Sequence, residues 1–186
     1  AIMKVISGAS IVPFRLSEMK PFRSIFYFAC IFLSVLGCKQ KNTDVEVDSS
    51  EKTSNTAIIP VPKLEDDSYD WWERHKDVLS TKDALDPEIV LIGNSITHFW
   101  GGSFPPLKNA DGTSRVANGP HSWEVTFQNR RVLNLGFGWD RTQNVLWRLN
   151  NGEMDGLAPK LVVIHIGTNN TSETNNARKN TAAEIF

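Results

Sequence analysis

Three short loops concentrate the residues able to do chemistry: Gly93-Asn94-Ser95-Ile96-Thr97, Gly136-Phe137-Gly138-Trp139-Asp140 and Gly167-Thr168-Asn169-Asn170. A serine hydroxyl becomes a nucleophile when a base takes its proton. A serine in the same place also caps a helix by accepting a free backbone amide, and chain position alone does not separate the two roles. The glycines at 136 and 138 permit a tight turn. They do not make a dinucleotide fingerprint, because Arg141 stands where the third glycine belongs. The Asn169-Asn170 pair suits the turn before a helix. Each loop taken alone is a weak signal; their shared position in the chain pattern is the stronger one.

Each loop directly follows a short apolar run: Glu88 to Ile92, Arg131 to Leu135, and Leu161 to Ile166. Runs with so few polar interruptions suit strands covered on both faces, as in a parallel sheet. Trp71, Trp72, His75, Val78 and Leu79 fall at helical spacing ahead of the first run. A second helical pattern, Thr142 to Leu149, separates the second and third runs, and another begins near Glu173. Strand, helix, strand implies a right-handed crossover within one sheet. The loops then leave the carboxyl ends of neighbouring strands, where open α/β sheets bind ligands. The stretch from Gly101 to Asn129, rich in glycine, proline and polar residues, reads as a long surface excursion over that end.

Together the loops resemble the SGNH (GDSL-like) hydrolases. Gly93-Asn94-Ser95 is similar to their first block, with asparagine in place of the usual aspartate, and Gly167-Thr168-Asn169-Asn170 is similar to their third. The phrases from Leu133 to Gly138, Thr142 to Leu149 and Asn151-Gly152-Glu153 resemble the catalytic subunits of platelet-activating factor acetylhydrolases. The resemblance implies a three-layer α/β/α, flavodoxin-like parallel sheet and a serine esterase, an acetylesterase by preference. Ser95 would be its nucleophile. The backbone amides of Ser95 and Trp139 and the side chain of Asn169 would hold the oxyanion, each such donor being worth roughly 10²–10³ in rate. The family carries glycine where Trp139 stands; a bulky residue narrows the backbone angles there and sets a ring beside the acyl pocket, which favours a small acyl group. Asn94 adjoins the nucleophile without being it, so its departure from aspartate implies a modest effect.

The family's base and its orienting carboxylate lie in an Asp-x-x-His motif near the C-terminus, and no such motif occurs among these 186 residues. Each of the four histidines has another expected role. His75 lies on the first helix facing a partner or solvent, His98 lies along the helix begun by Ser95, His121 sits in the long excursion, and His165 is a core residue of the third strand. The resemblance thus implies that about three of five parallel strands are present, and that this chain alone is inactive and folds poorly, with one sheet edge exposed.

Ahead of the domain, Lys20 and Arg23 precede an apolar run from Ile25 to Leu36. The run falls short of the roughly 20 residues that span a bilayer and suits a signal peptide. Val35-Leu36-Gly37-Cys38 resembles a bacterial lipobox, which implies cleavage before Cys38 and a lipid on its thiol. The expected organisation is upstream read-through over 1–18, signal peptide over 19–37, a flexible tether over 38–62 and the hydrolase domain over 63–186. The tether follows from a stretch with almost no large apolar residue, closed by the stiffening Pro60 and Pro62. The protein is then exported and anchored to the cell envelope, touching the membrane through its lipid alone.

A formal net charge of −1 gives no basic field for nucleic acid. Both cysteines, Cys30 and Cys38, lie in the leader, so the domain has no disulfide framework or thiolate metal site. No cofactor or metal is implied. The expected partner is a small-molecule or carbohydrate ester, with a homodimer implied by the resemblance. The rival reading is a non-catalytic envelope lipoprotein that binds a glycan or protein on a hydrolase fold.

Overall fold

The computed structural model describes residues 2–7, 54–101 and 105–186. The leader and Cys38 lie outside the described residues. The elements in chain order are β1 (Ile2–Ser7), α1 (Trp71–Leu85), β2 (Ile89–Gly93), α2 (Ser95–His98), α3 (Pro120–Phe127), β3 (Val132–Gly136), α4 (Thr142–Asn150), β4 (Leu161–Ile166) and α5 (Ala182–Ile185), with 3-10 turns at Thr56–Ile58 and Thr168–Thr171.

The three apolar runs form the expected parallel sheet. β2 lies between β3 and β4, with Gly93 opposite Gly136 on one side and His165 on the other. Side-chain alternation splits the core by face. Val90, Ile92, Leu133 and Leu135 pack with Trp71, Val78, Phe137 and Val145 beneath α1 and α4. Ile89, Leu91 and Val132 pack with Phe127, Trp100 and Trp123 beneath α3. Burying apolar area on both faces is what selects this layered arrangement over a two-layer one.

Four expectations change. The segment 2–7, set aside as upstream sequence, forms a strand antiparallel to β4, with Ile2 opposite Ile166 and Ser7 opposite Leu161; the outer edge of β4 is therefore paired. Residues 54–62, assigned to the tether, lie on the domain. Asn55 caps the turn that buries Ala57, the Ala57 oxygen accepts from the Thr142 hydroxyl at 2.6 Å, and the Val61 amide donates to Gln143 O at 3.2 Å. Hydrogen bonds rather than apolar bulk hold this stretch, so composition alone mistook it for solvated chain.

The excursion from 101 carries α3, opened by Gly119 in the left-handed region and Pro120 in the first turn. The helix anticipated near Glu173 starts instead at Ala182, capped by Thr181 and Glu184. Before it, Thr174 and Ala177 close a turn over Asn175-Asn176, with the Thr174 amide donating to Ala177 O at 2.9 Å and the Ala177 amide donating to Thr174 Oγ1 at 3.1 Å. Short polar side chains that bond locally compete with helix in this way.

Candidate active site

Ser95 opens α2 at the carboxyl end of β2. The preceding Asn94, 1 % exposed, is the cap of that turn: its side chain accepts from the Ile96 amide at 3.0 Å. Ser95 is therefore relieved of the capping role, and among the described residues neither its hydroxyl nor its amide nitrogen has a hydrogen-bond partner. The turn sits hard against β3. An added methyl at Gly136 would meet the His98 nitrogen at 2.2 Å, and one at Gly93 would meet Thr97 Oγ1 at 2.2 Å. From β3 itself, Asn134 donates to Thr97 O at 2.8 Å, pinning the end of α2.

The second loop is a tight turn. The Asp140 amide donates to Phe137 O at 3.2 Å, and Trp139, third of the four residues, has φ of +58°. That is the pattern of a type II turn, whose third position ordinarily calls for glycine. The Trp139 amide has no partner among the described residues, and its residue is 58 % exposed. Hydrogen bonds join the three loops. The Phe137 amide donates to Gly93 O at 3.0 Å, the Gly138 amide donates to His98 Nδ1 at 3.1 Å, and Asn169 Nδ2 donates to Asp140 O at 2.9 Å. The third loop is further locked by buried Asn170, which accepts from the Thr142 amide at 3.0 Å and donates to Gln143 Oε1 at 2.9 Å and Asn180 Oδ1 at 3.0 Å.

Beneath the loops runs a buried polar chain that the sequence reading missed. Trp71 Nε1 donates to Asp140 Oδ1 at 2.8 Å, Arg148 Nε donates to Asp140 Oδ2 at 2.8 Å, Arg148 also pairs with Glu153, and Glu153 Oε1 meets His75 Nδ1 at 2.7 Å. Asp140, Arg148 and Glu153 are wholly buried. Arg74 adds a second guanidinium, donating to Gly136 O and Asn134 O at 2.9 Å each. Burial pushes the Asp140 carboxyl up to about 6 against the pull of Arg148. Burial also opposes the charge of Arg148, but Glu153 and Asp140 hold it above its ordinary value. The chain fixes the second loop from below by charge-assisted bonds.

His75 accordingly faces the interior rather than a partner or solvent. His98 is buried, and its Nδ1 accepts a bond, so its proton sits on Nε2. Burial first, and the charges of Arg74 and Arg115 after it, push that imidazole well below its usual range, so it stays neutral. His121 is exposed on α3, and His165 is half-buried beside Ile96 and Thr97. Among the described residues, no group of three or more His, Cys, Asp or Glu is placed to hold a metal ion.

A cleft of about 280 Å³ opens beside Trp139 and Asn169, walled also by Glu65, Arg141, Gln143 and Asn176. Hydrogen bonds thus tie the loops of Ser95, Trp139 and Asn169 to one another, and the second and third of these loops border the cleft at Trp139 and Asn169.

A model of the GDSL-like lipase/acylhydrolase family matches residues 91–184. Among curated proteins, platelet-activating factor acetylhydrolase IB subunit alpha1 of Rattus norvegicus is 35 % identical over 127 residues, 67 % of this chain and 47 % of that protein. The subunit alpha1 of Homo sapiens is 32 % identical over 126 residues, 68 % of this chain and 47 % of the relative. The subunit alpha2 of Bos taurus is 30 % identical over 138 residues, 73 % of this chain and 49 % of the relative. The chain spans about half the length of the curated relatives it matches.

Proposed function

The chain belongs to the GDSL-like lipase/acylhydrolase family, and on that premise we propose that it supplies the nucleophile and oxyanion donors of a serine esterase acting on small-acyl carboxylic esters. The observation that carries this is the set of donors left unused where the loops are otherwise knit together: the amides of Ser95 and Trp139, and the second N–H of Asn169. Ser95 Oγ attacks the ester carbonyl as its proton passes to a base, and the carbonyl oxygen takes up the negative charge against those donors. Collapse expels the alcohol, which takes the proton back from the base, and leaves an acyl-serine. Water, deprotonated by the same base, then hydrolyses the acyl-serine and frees Ser95. Family resemblance assigns the base to an Asp-x-x-His motif, so His75, His98 and His165 are left to structural roles. The indole of Trp139 beside the carbonyl site favours acetyl over long acyl chains. The leader pattern supports export and a lipid anchor at Cys38 as part of the same proposal.

The test is the full-length protein and its Ser95→Ala variant on p-nitrophenyl acetate. Activity falls by at least roughly 10³-fold in the variant. Equal turnover by both would remove Ser95 from the reaction.

A further inference from the structure

We propose that the cleft beside Trp139 is a sugar subsite, so that the ester consumed is carried on a carbohydrate ring; this rests on the esterase reading above. Trp139 holds a left-handed backbone, φ +58°, with 58 % of its surface exposed. Such a backbone costs a residue with a Cβ about 1–2 kcal/mol, and an indole so exposed does not recover it by burial. Strain kept without a packing reason points to what the ring does.

The walls facing that ring say what it meets. Gln143 is 3 % exposed. Its Oε1 is fixed as an acceptor by Asn170 Nδ2 at 2.9 Å, leaving Nε2 without a partner among the described residues. Gln143 lines the cleft, so this N–H is open to an oxygen of a ligand there. Burial pushes the Glu65 carboxyl up, but the Thr174 hydroxyl at 2.6 Å and further hydrogen bonds hold it below its ordinary value. The Glu65 carboxylate lines the cleft and only accepts hydrogen bonds, so a ligand hydroxyl there can donate to it.

An apolar platform faced by a fixed donor and an ionised acceptor matches a pyranose, whose C–H face stacks while its hydroxyls both give and accept. An acyl tail would strand Gln143 and Glu65. A phosphate would find Glu65, Asp66 and Glu173 on the walls, with the Arg141 guanidinium already committed to the carbonyls of Arg178 and Ser172. At about 280 Å³ the cleft lies near the small end of ligand pockets, ~300 Å³.

The experiment compares kcat/KM of the full-length protein for mono-O-acetylated methyl glucoside, acetylcholine, p-nitrophenyl octanoate and p-nitrophenyl acetate, in wild type, Trp139→Ala and Glu65→Gln. Trp139→Ala keeps the main-chain amide and removes an exposed ring. The ratio of the sugar ester to p-nitrophenyl acetate exceeds one in wild type and drops about tenfold or more in each variant. A ratio that does not move, or one that moves for acetylcholine or octanoate instead, overturns the proposal. If no ester is turned over, the esterase reading fails, and saturation-transfer NMR with plain methyl glucoside decides the subsite alone. A transfer signal that Trp139→Ala abolishes upholds the subsite. No signal in wild type, or one that the variant leaves unchanged, overturns it.

Discussion

Asn169 Nδ2 donates to the main-chain oxygen of Asp140 at 2.9 Å, so the side chain proposed to stabilise an oxyanion is held by the loop that carries the second proposed donor, Trp139. The amide can orient only one way, because its oxygen would repel the Asp140 carbonyl. Its remaining N–H is therefore aimed by the same bond that ties the third loop to the second.

Asn169→Ala removes both the donor and the tie. Turnover of p-nitrophenyl acetate by the full-length protein falls roughly 10²–10³-fold with KM little changed, while stability to urea falls by about 1 kcal/mol. A loss confined to stability would take Asn169 out of the oxyanion site.

Trp139→Gly relieves the left-handed strain of about 1–2 kcal/mol and adds back about 0.5–1 kcal/mol of glycine chain entropy. The exposed indole contributes little packing to lose. The variant is expected to be more stable by roughly 0.5–1 kcal/mol, read as a raised urea midpoint at unchanged slope. A lowered midpoint would show that the ring holds the turn in place.

Arg148 serves two buried carboxylates. Arg148→Ala leaves Asp140 and Glu153 without their counter-charge and costs roughly 3–5 kcal/mol. Arg148→Lys recovers little of it, since a single ammonium cannot reach both in the forked geometry. A cost below about 1 kcal/mol for the alanine variant would mean that the pairs behave as surface ion pairs do.

The Asp140 carboxyl sits near 6 in the folded protein against an ordinary 3.8, because burial disfavours its charge. Between those values the folded state keeps a proton that the unfolded chain has released. Stability conferred by this group is fully present below about pH 4, declines as pH rises to about 6, and is level above that. Denaturation midpoints across this window show the slope in wild type and lose it in Asp140→Asn. The Trp71 indole N–H resonance, bonded to the same carboxylate, shifts with a midpoint near 6; a shift centred near 3.8 would place the charge on Asp140 throughout.

The sheet was legible because β2, β3 and β4 are nearly uninterrupted apolar runs ending in glycine, and α4 keeps a clear helical period. The inner face of α1 was not. Arg74, His75 and Lys82 are buried there, a pattern that hydropathy reads as solvated. Their partners are carbonyls and carboxylates far along the chain, such as Gly136 O for Arg74 and Glu153 for His75. Asn134, polar in a buried strand, carried the same hidden information: its amide pins the turn bearing Ser95. Of the proposed site, Ser95, Trp139 and Asn169 were singled out by motif resemblance alone, whereas Gln143 and Asp140 owe their place to bonds that only folding reveals. The Gly119-Pro120 pair that opens α3 went unread, because the polar composition around it suited a surface excursion.

Bare backbone at residue 136 also governs how this site can vary through descent. A methyl there would lie 2.2 Å from the main-chain nitrogen of His98, so drift at that position is closed to every other residue type. The side chains of Ile96, 62 % exposed, and of Trp139, 58 % exposed, meet no such wall, although the left-handed backbone at 139 favours glycine. Lineages sharing this scaffold can therefore re-tailor what enters the cleft while the turn under the serine stays frozen.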